Sequence, residues 1–248
     1  MEPPLLGKSV LVTREESLAK KFTKQLESSG ADVYEVPLLK ISCRTFNQDI
    51  KMLRALEQFD WLFFTSINGV NCFFESINYH QLSLPPIKIA VVGHKTEAQL
   101  EKYGYKADFL PSIYDGETFV KEFLNQYEEV GQVLLVQGNR SRDVIAKGLL
   151  EASVRFQSCI VYDTVNNDQS APLLQKVLRS VKLDFITFTS PSTVEAFVKF
   201  SGEDIPEDTT IVCIGHTTEA RARELGFQNT ISPVQYTTES MIEVMCNH

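Results

Sequence analysis

The stretch Asp60-Trp61-Leu62-Phe63-Phe64-Thr65-Ser66 decides how this chain is read, because it returns 124 residues later as Asp184-Phe185-Ile186-Thr187-Phe188-Thr189-Ser190. Each copy is a short apolar run ending in small hydroxyl residues, the pattern of a buried strand running into a helix start. Apolar residues follow at matching helical positions, Val70 and Phe73 in the first copy and Val194 and Phe197 in the second. A second pair of segments repeats 122 residues apart: Val92-Gly93-His94-Lys95-Thr96-Glu97-Ala98 and Ile214-Gly215-His216-Thr217-Thr218-Glu219-Ala220. The echo continues through Gly104 and Gly226, Pro111 and Pro233, Tyr114 and Tyr236, and Glu117 and Glu239. The opening Val10-Leu11-Val12 is matched more faintly by Val133-Leu134-Leu135. A period near 120 residues exceeds the ~20–50 of solenoid repeats and means two similar domains.

Outward from these segments, β-branched and apolar runs alternate with amphipathic ones. Strands are expected at Val10–Thr13, Asp32–Val36, Trp61–Thr65, Ile89–Val92, Val133–Val136, Phe185–Thr189 and Ile211–Ile214, and more weakly at Ala107–Leu110 and Asn229–Ser232. Helical stripes fall on Leu18, Phe22 and Leu26; on Ile50, Leu53 and Leu56; on Phe119, Phe123 and Tyr127; and on Leu174, Val177, Leu178 and Val181. Strand–helix alternation requires crossover connections, hence mostly parallel sheets covered by helices. The expected class is α/β, with two similar lobes facing each other across a cleft.

The chain has 248 residues and a net charge of −8, with 43% apolar and 23% charged residues, the balance of a globular protein. That acidity argues against nucleic acid as a partner, since binding it takes a basic surface. Runs such as Trp61–Phe64 fall far short of the ~20 residues that span a bilayer, so no membrane insertion is expected. Met1–Lys8 lacks a basic start followed by an apolar stretch, and the expected location is cytoplasmic. The five cysteines, Cys43, Cys72, Cys159, Cys213 and Cys246, form no C-x-x-C pair; Cys159 and Cys213 read as small core residues in a reducing compartment. Asn139-Arg140-Ser141 fits a glycosylation sequon, which without a secretion signal is taken as chance.

Open parallel sheets bind ligands beyond the carboxyl ends of their strands. At those positions the sequence repeatedly sets small polar residues: Thr13-Arg14, Thr65-Ser66-Ile67-Asn68, Gly93-His94-Lys95-Thr96, Gln137-Gly138-Asn139-Arg140-Ser141, Thr189-Ser190-Pro191-Ser192 and Gly215-His216-Thr217-Thr218. Unsatisfied N–H groups and the positive end of a helix dipole suit each to an anion, with hydroxyl donors and the charges of Arg14, Lys95 and Arg140 added. Any single such turn is as well explained by N-capping. Six of them on two lobes point to a ligand bearing several carboxylates or phosphates. Named motifs are missing: the Gly93-His94-Lys95-Thr96 segment is not a P-loop, and no G-x-G-x-x-G, H-E-x-x-H or G-x-S-x-G occurs. Nothing in the sequence argues for a cofactor or a metal. His94 and His216 hold equivalent turn positions and read as turn-lining residues.

Taken together, Phe63-Phe64-Thr65-Ser66 with Val70, Val92-Gly93 with Thr96, Gln137-Gly138-Asn139-Arg140 leading to Leu149, Val161-Tyr162-Asp163-Thr164, Phe188-Thr189-Ser190-Pro191-Ser192 and Ile214–Ala220 resemble the uroporphyrinogen-III synthase family over essentially the whole chain. The resemblance lies in the order and spacing of these pieces. It implies two flavodoxin/Rossmann-like lobes joined by two connector strands: residues 1–36 with 166–248, and 42–160, with connectors at 37–41 and 161–165. It implies a cofactor-free lyase that closes linear hydroxymethylbilane to uroporphyrinogen III in tetrapyrrole (heme) biosynthesis, losing water and inverting ring D. The substrate's eight carboxylates agree with the many-donor turns. Tyr162 would be the acid at the leaving hydroxyl. Arg14, Ser66, Asn68, Lys95, Thr96, Gly138, Asn139, Arg140, Ser190, Ser192, Thr217 and Thr218 would bind substrate. A monomer is expected, receiving hydroxymethylbilane by transient handover from the enzyme that makes it. On the residues alone two other classes stay open, a non-catalytic two-lobed cytosolic binding module for a small polyanion and a nucleotide-sugar transferase.

Overall fold

The structure is a computed structural model and describes residues 2–44, 50–202 and 208–248. Along the chain, β1 (Ser9–Val12), α1 (Glu16–Ser28), β2 (Asp32–Glu35) and β3 (Leu39–Cys43) come first, followed by α2 (Ile50–Arg54), β4 (Trp61–Phe64), α3 (Ile67–Tyr79), β5 (Lys88–Val91) and α4 (His94–Lys102). Next come α5 (Gly116–Gln126), β6 (Gln132–Gly138), α6 (Val144–Glu151) and β7 (Arg155–Asn166). The last part holds α7 (Ala171–Ser180), β8 (Phe185–Phe188), α8 (Pro191–Ser201), β9 (Thr210–Cys213), α9 (His216–Glu224), β10 (Thr230–Ile231) and α10 (Thr238–Cys246). The seven firm strand expectations all coincide with strands. Of the weaker two, Asn229–Ser232 contains β10, whereas Ala107–Leu110 gives only an isolated bridge from Phe109 to Ala90.

The chain divides into two compact units, Met1–Lys40 with Val165–His248, and Ile41–Thr164. It passes between them twice, within β3 and within β7. Backbone bonds from Asn167 N–H to Leu38 O (2.8 Å) and from Arg44 N–H to Val161 O (2.8 Å) show these two strands running antiparallel.

Unit one holds a sheet in the order β10-β9-β8-β1-β2, every pair parallel. Unit two holds β3-β7-β6-β4-β5, in which β7, β6, β4 and β5 pair in parallel. Laid side by side, β9-β8-β1-β2 and β5-β4-β6-β7 are the same arrangement, so β1 and β6 hold equivalent places, which accounts for the faint likeness of Val10–Val12 to Val133–Leu135. The repeated Asp explains itself here. Asp60 accepts the N–H of Gln132 at the start of β6 (2.7 Å), and Asp184 accepts that of Ser9 at the start of β1 (2.9 Å). Each Asp registers its strand against the equivalent neighbour at the amino edge.

Both sheets are buried on both faces, as parallel sheets are. In β4, Leu62 and Phe64 face one core with Phe73 and Leu134, while Trp61 and Phe63 face another with Phe119 and Phe123. In unit one, Leu11, Ile186 and Phe188 pack on one side and Val10, Val12 and Phe185 on the other. Full burial of such a side chain stabilises by ~1.5–3 kcal/mol before entropy is counted. One stripe differs from expectation. Leu18 is exposed, and Ala19, Phe22 and Leu26, at i, i+3 and i+7, form the buried face of α1.

One feature has no counterpart in the sequence expectations: Cys43 at the end of β3 and Cys72 in α3 form a disulfide, their Cα atoms 5.2 Å apart. Cys159 and Cys213 are buried as expected. Among the described residues, no helix is long and apolar enough to cross a membrane.

Candidate functional site

At the carboxyl edge of the second sheet, four neighbouring strands end in a polar cluster. β4 runs through Thr65 to Ser66, the N-cap of α3, whose side-chain oxygen accepts the Gly69 N–H at 3.0 Å. β6 ends at Gly138, where the register with β7 shifts so that Gly138 stands opposite Tyr162. This glycine has a steric purpose. A Cβ on it would lie 2.3 Å from the Tyr162 ring carbon Cζ and 2.7 Å from its hydroxyl oxygen, so the ring rests on bare backbone. Only 9% of Tyr162 remains exposed, and its hydroxyl lies 3.1 Å from Ser66 Oγ.

The turn after β6 is tied to β7 at several points. Asn139 N–H donates to Tyr162 O (3.0 Å), Asn139 Oδ1 accepts Thr164 N–H (2.9 Å), and Ser141 Oγ accepts Gly138 N–H (3.1 Å). Asn139 therefore spends its carbonyl on the strand and keeps its amide hydrogens for other partners. Ser66, Arg140 and Tyr162 line one cavity of about 450 Å³, together with Thr65, Tyr114, Ser141 and Arg142. The guanidinium groups of Arg140 and Arg142 have no ion-pair partner among the described residues. Asp115, also on the wall, is occupied in capping α5 through Thr118 N–H (2.7 Å). Nearby, Arg44 forks onto Asp163 with two 2.8 Å bonds, and this hydrogen bonding holds the carboxyl below its ordinary range.

Beside this cavity, β5 leads into α4, where Lys95 is exposed and Thr96 is buried. Tyr114 lies against Gly93, its ring 4.6 Å from that of His94, and His94 Nδ1 is 3.2 Å from Glu97. Asn68 is half-buried in the first turn of α3.

Unit one carries the equivalent edge. Thr13 is buried with its hydroxyl donating to Thr187 O, and Arg14 follows, half-buried and without an ion-pair partner among the described residues. Burial pulls the Arg14 guanidinium below its ordinary value, opposed by the fields of Glu15 and Glu239. Ser190 caps α8 in a reciprocal box with Thr193, and its Oγ also lies 3.0 Å from Ser192 Oγ. At α9 Thr217 is exposed and Thr218 buried, so of these two threonines the first presents its hydroxyl to solvent. His216 Nδ1 is 2.6 Å from the Tyr236 hydroxyl, whose ring covers Gly215. Behind the turn, burial would raise Glu219, but hydrogen bonds from Ser232, Thr230 and Arg223 outweigh it and hold the carboxyl low. Arg14, Ser190 and Thr217 thus follow the adjacent strands β1, β8 and β9.

Among the described residues no cluster of His, Cys, Asp and Glu is arranged to hold a metal ion. Ser141 closes the strand-end turn Gln137–Ser141 named from the sequence, whereas Arg142, one residue beyond it, was not singled out. Tyr114 appeared only as an echo of Tyr236, and that echo was the available signal.

A family model described as uroporphyrinogen-III synthase HemD matches residues 20–243. The chain belongs to the uroporphyrinogen-III synthase family. A putative uroporphyrinogen-III synthase from Methanocaldococcus jannaschii is 30% identical, over 95% of this chain and 97% of that protein. The porphyrin biosynthesis protein HemD of Ruminiclostridium josui is 31% identical over 98% of this chain, which spans only 49% of that relative's length. In fold, the uroporphyrinogen-III synthetase of Helicobacter pylori superposes with a TM-score of 0.62, covering 97% of this chain and 98% of the other at 18% identity. Membership in the uroporphyrinogen-III synthase family favours this reading over the binding module and the sugar transferase.

Proposed function

We propose that this chain is a lyase that converts linear hydroxymethylbilane to uroporphyrinogen III, with loss of water and inversion of the last pyrrole ring. The observation that supports it most is the Tyr162 hydroxyl, buried on the wall of an arginine-bearing cavity and fixed by Ser66 and Gly138. Tyr162 gives its proton to the terminal hydroxymethyl oxygen, the C–O bond breaks, and water leaves an azafulvenium cation stabilised by its own pyrrole. The far ring attacks through its already substituted carbon, and the resulting spiro intermediate fragments and recloses inverted. The proton released as the last pyrrole regains aromaticity returns to Tyr162, so the net change is loss of one water. Pyrroles supply much of this reactivity themselves; the protein's contribution is orientation and one placed proton.

The substrate's carboxylates are taken by groups at the strand-end turns. Arg14, Lys95 and Arg140 supply charge, and Asn139, Ser190, Ser192 and Thr217 supply side-chain donors. Residues near Asn68, Thr96, Gly138 and Thr218 contribute backbone N–H groups or shape the turns. No cofactor enters this scheme, the enzyme acts as a cytoplasmic monomer, and substrate is handed over by the enzyme that makes it.

The deciding experiment supplies freshly made hydroxymethylbilane and separates the porphyrin isomers after oxidation. Spontaneous closure gives the symmetric type I isomer, so type III above the no-enzyme control is the expected result. Binding without any type III would overturn the reading.

A further inference from the structure

We propose that Ser66 is the positioning residue for Tyr162, aiming the tyrosine's proton into the cavity; this rests on the reading of Tyr162 as the proton donor. A serine hydroxyl has one hydrogen and two acceptor sites. In Ser66 one acceptor site is taken by Gly69 N–H at 3.0 Å, and the Tyr162 oxygen lies 3.1 Å away. Only two arrangements satisfy this geometry. If Tyr162 donates to Ser66, its proton is engaged in that bond and withheld from substrate. If Ser66 donates to Tyr162, the phenolic proton is left to face the cavity, and the acid is armed.

Three features favour the second arrangement when substrate is bound. The Gly69 N–H polarises the Ser66 hydroxyl and strengthens it as a donor, forming a chain from N–H through Oγ–H to the phenol oxygen. The positive end of the α3 dipole lies at the base of that chain. As Tyr162 loses its proton its oxygen gains charge, so the Ser66 bond strengthens as the reaction proceeds, the condition for lowering a barrier. Gly138 completes the device, since the phenol ring lies directly on its backbone. The equivalent cap in unit one, Ser190, has a different employment: its hydroxyl meets Ser192 and Thr193 on its own helix. Capping alone therefore does not call for the link to a tyrosine seen at Ser66.

The test is steady-state kinetics of uroporphyrinogen III formation by the full chain and its variants. Glycine is itself a tolerated N-cap, so Ser66→Gly removes the hydroxyl while leaving α3 in place. Its kcat should fall by about 10²-fold, the lower end for a lost transition-state donor, with KM nearly unchanged. Ser66→Thr keeps a hydroxyl that both accepts and donates, and should recover most of that loss. Ser66→Asp caps α3 at least as well but has no proton to give, and its kcat should fall with that of Ser66→Gly. In a Tyr162→Phe background, Ser66→Gly should change kcat hardly at all, because its partner is already gone. An equal loss with and without the Tyr162 hydroxyl, or a change confined to KM, would overturn the proposal. A slow Tyr162→Phe beside a fast Ser66→Gly would overturn it alone. Wild-type turnover by Tyr162→Phe would overturn the acid reading and this proposal with it.

Discussion

Tyr162 carries the reading at the scale of single residues, and its environment says what each change should do. Tyr162→Phe keeps the ring on Gly138 and removes only an oxygen bonded to Ser66, so the fold should be retained while kcat falls by about 10²-fold or more. Turnover and a thermal melt on the same sample check both halves. Gly138→Ala is the sharper probe. Its methyl would lie 2.3 Å from the ring, which is packed in the core with Val136 and Val161 and can yield only by shifting within the cavity it lines. Overpacking of this kind costs ~1–3 kcal/mol. A ring displaced by about 1 Å should lower kcat by about 10²-fold as well. Gly215→Ala makes the comparison, because there the clashing ring is that of Tyr236, which is 57% exposed and free to swing outward. Its melting temperature should barely move, within the ~0.5 kcal/mol of an ordinary surface change. Equal melting losses at the two glycines would contradict this account of Gly138.

The Cys43–Cys72 link joins a connector strand to the helix that presents Ser66, and it is the least expected element-scale feature. Closing a loop across a sequence separation of 29 stabilises by at most ~3–4 kcal/mol through the unfolded chain. Oxidised protein denatured without reductant should titrate three thiols, the cysteines outside the bridge, and five after reduction. Reduction, or the pair Cys43→Ser and Cys72→Ser, should lower the melting temperature by several degrees; an unchanged melt would show that the bridge bears no load. In a glutathione-buffered cytosol the pair would be held reduced. Nothing in the spacing of the five cysteines announces this pair, because only the return of β3 beside the second core brings Cys43 to α3. The same reason separates legible from hidden elements generally. Doubly buried strands such as β4 and β8 announce themselves by composition. The first third of β7, Arg155–Ser158, has a single apolar residue, Phe156, among three polar ones and carries little strand signal, yet it pairs residue by residue with Gln132–Leu135. At the site, Ser66 and Arg140 were readable as strand-end residues, and Tyr162 came only through the family resemblance. Arg142, one residue past the named turn Gln137–Ser141, was not singled out, since a turn's sequence does not say which neighbouring side chains will face a cavity.

The whole molecule is two copies of one sheet plan whose strands enter in different chain order. In unit two, β6 and β7 follow β4 and β5; in unit one, the equivalent β1 and β2 come from the other end of the chain. Unit one therefore depends on a long-range closure, and acidic groups secure it. Burial would raise Asp184, but the Ser9 N–H and Lys8 outweigh it and hold its carboxyl below the ordinary range at the junction of β8 with β1. Glu239 on α10, hydrogen-bonded by Lys21 of α1, is lowered to about 2, and Glu219 on α9 is held low by Ser232, Thr230 and Arg223. A carboxylate depressed on folding stabilises fully above its unfolded pKa of ~4 and loses that contribution as pH falls through the folded value. These groups are partly exposed, so salt screens each of them, but all three act on the unit closed from the chain's far end. Among the described residues, unit two holds two such carboxylates, Asp163 against Arg44 and Glu122 against Ser112. Unit one holds three, two of them at its long-range closure, so unit one should come apart first as pH is lowered from about 4.5 toward 2. The chain has a single tryptophan, Trp61, buried in unit two, so its emission reports that unit alone while far-ultraviolet dichroism reports both. On acid titration the dichroism should fall before Trp61 emission shifts. Coincident transitions, or an early shift of Trp61, would show that the far-end closure of β1 is not the acid-sensitive joint.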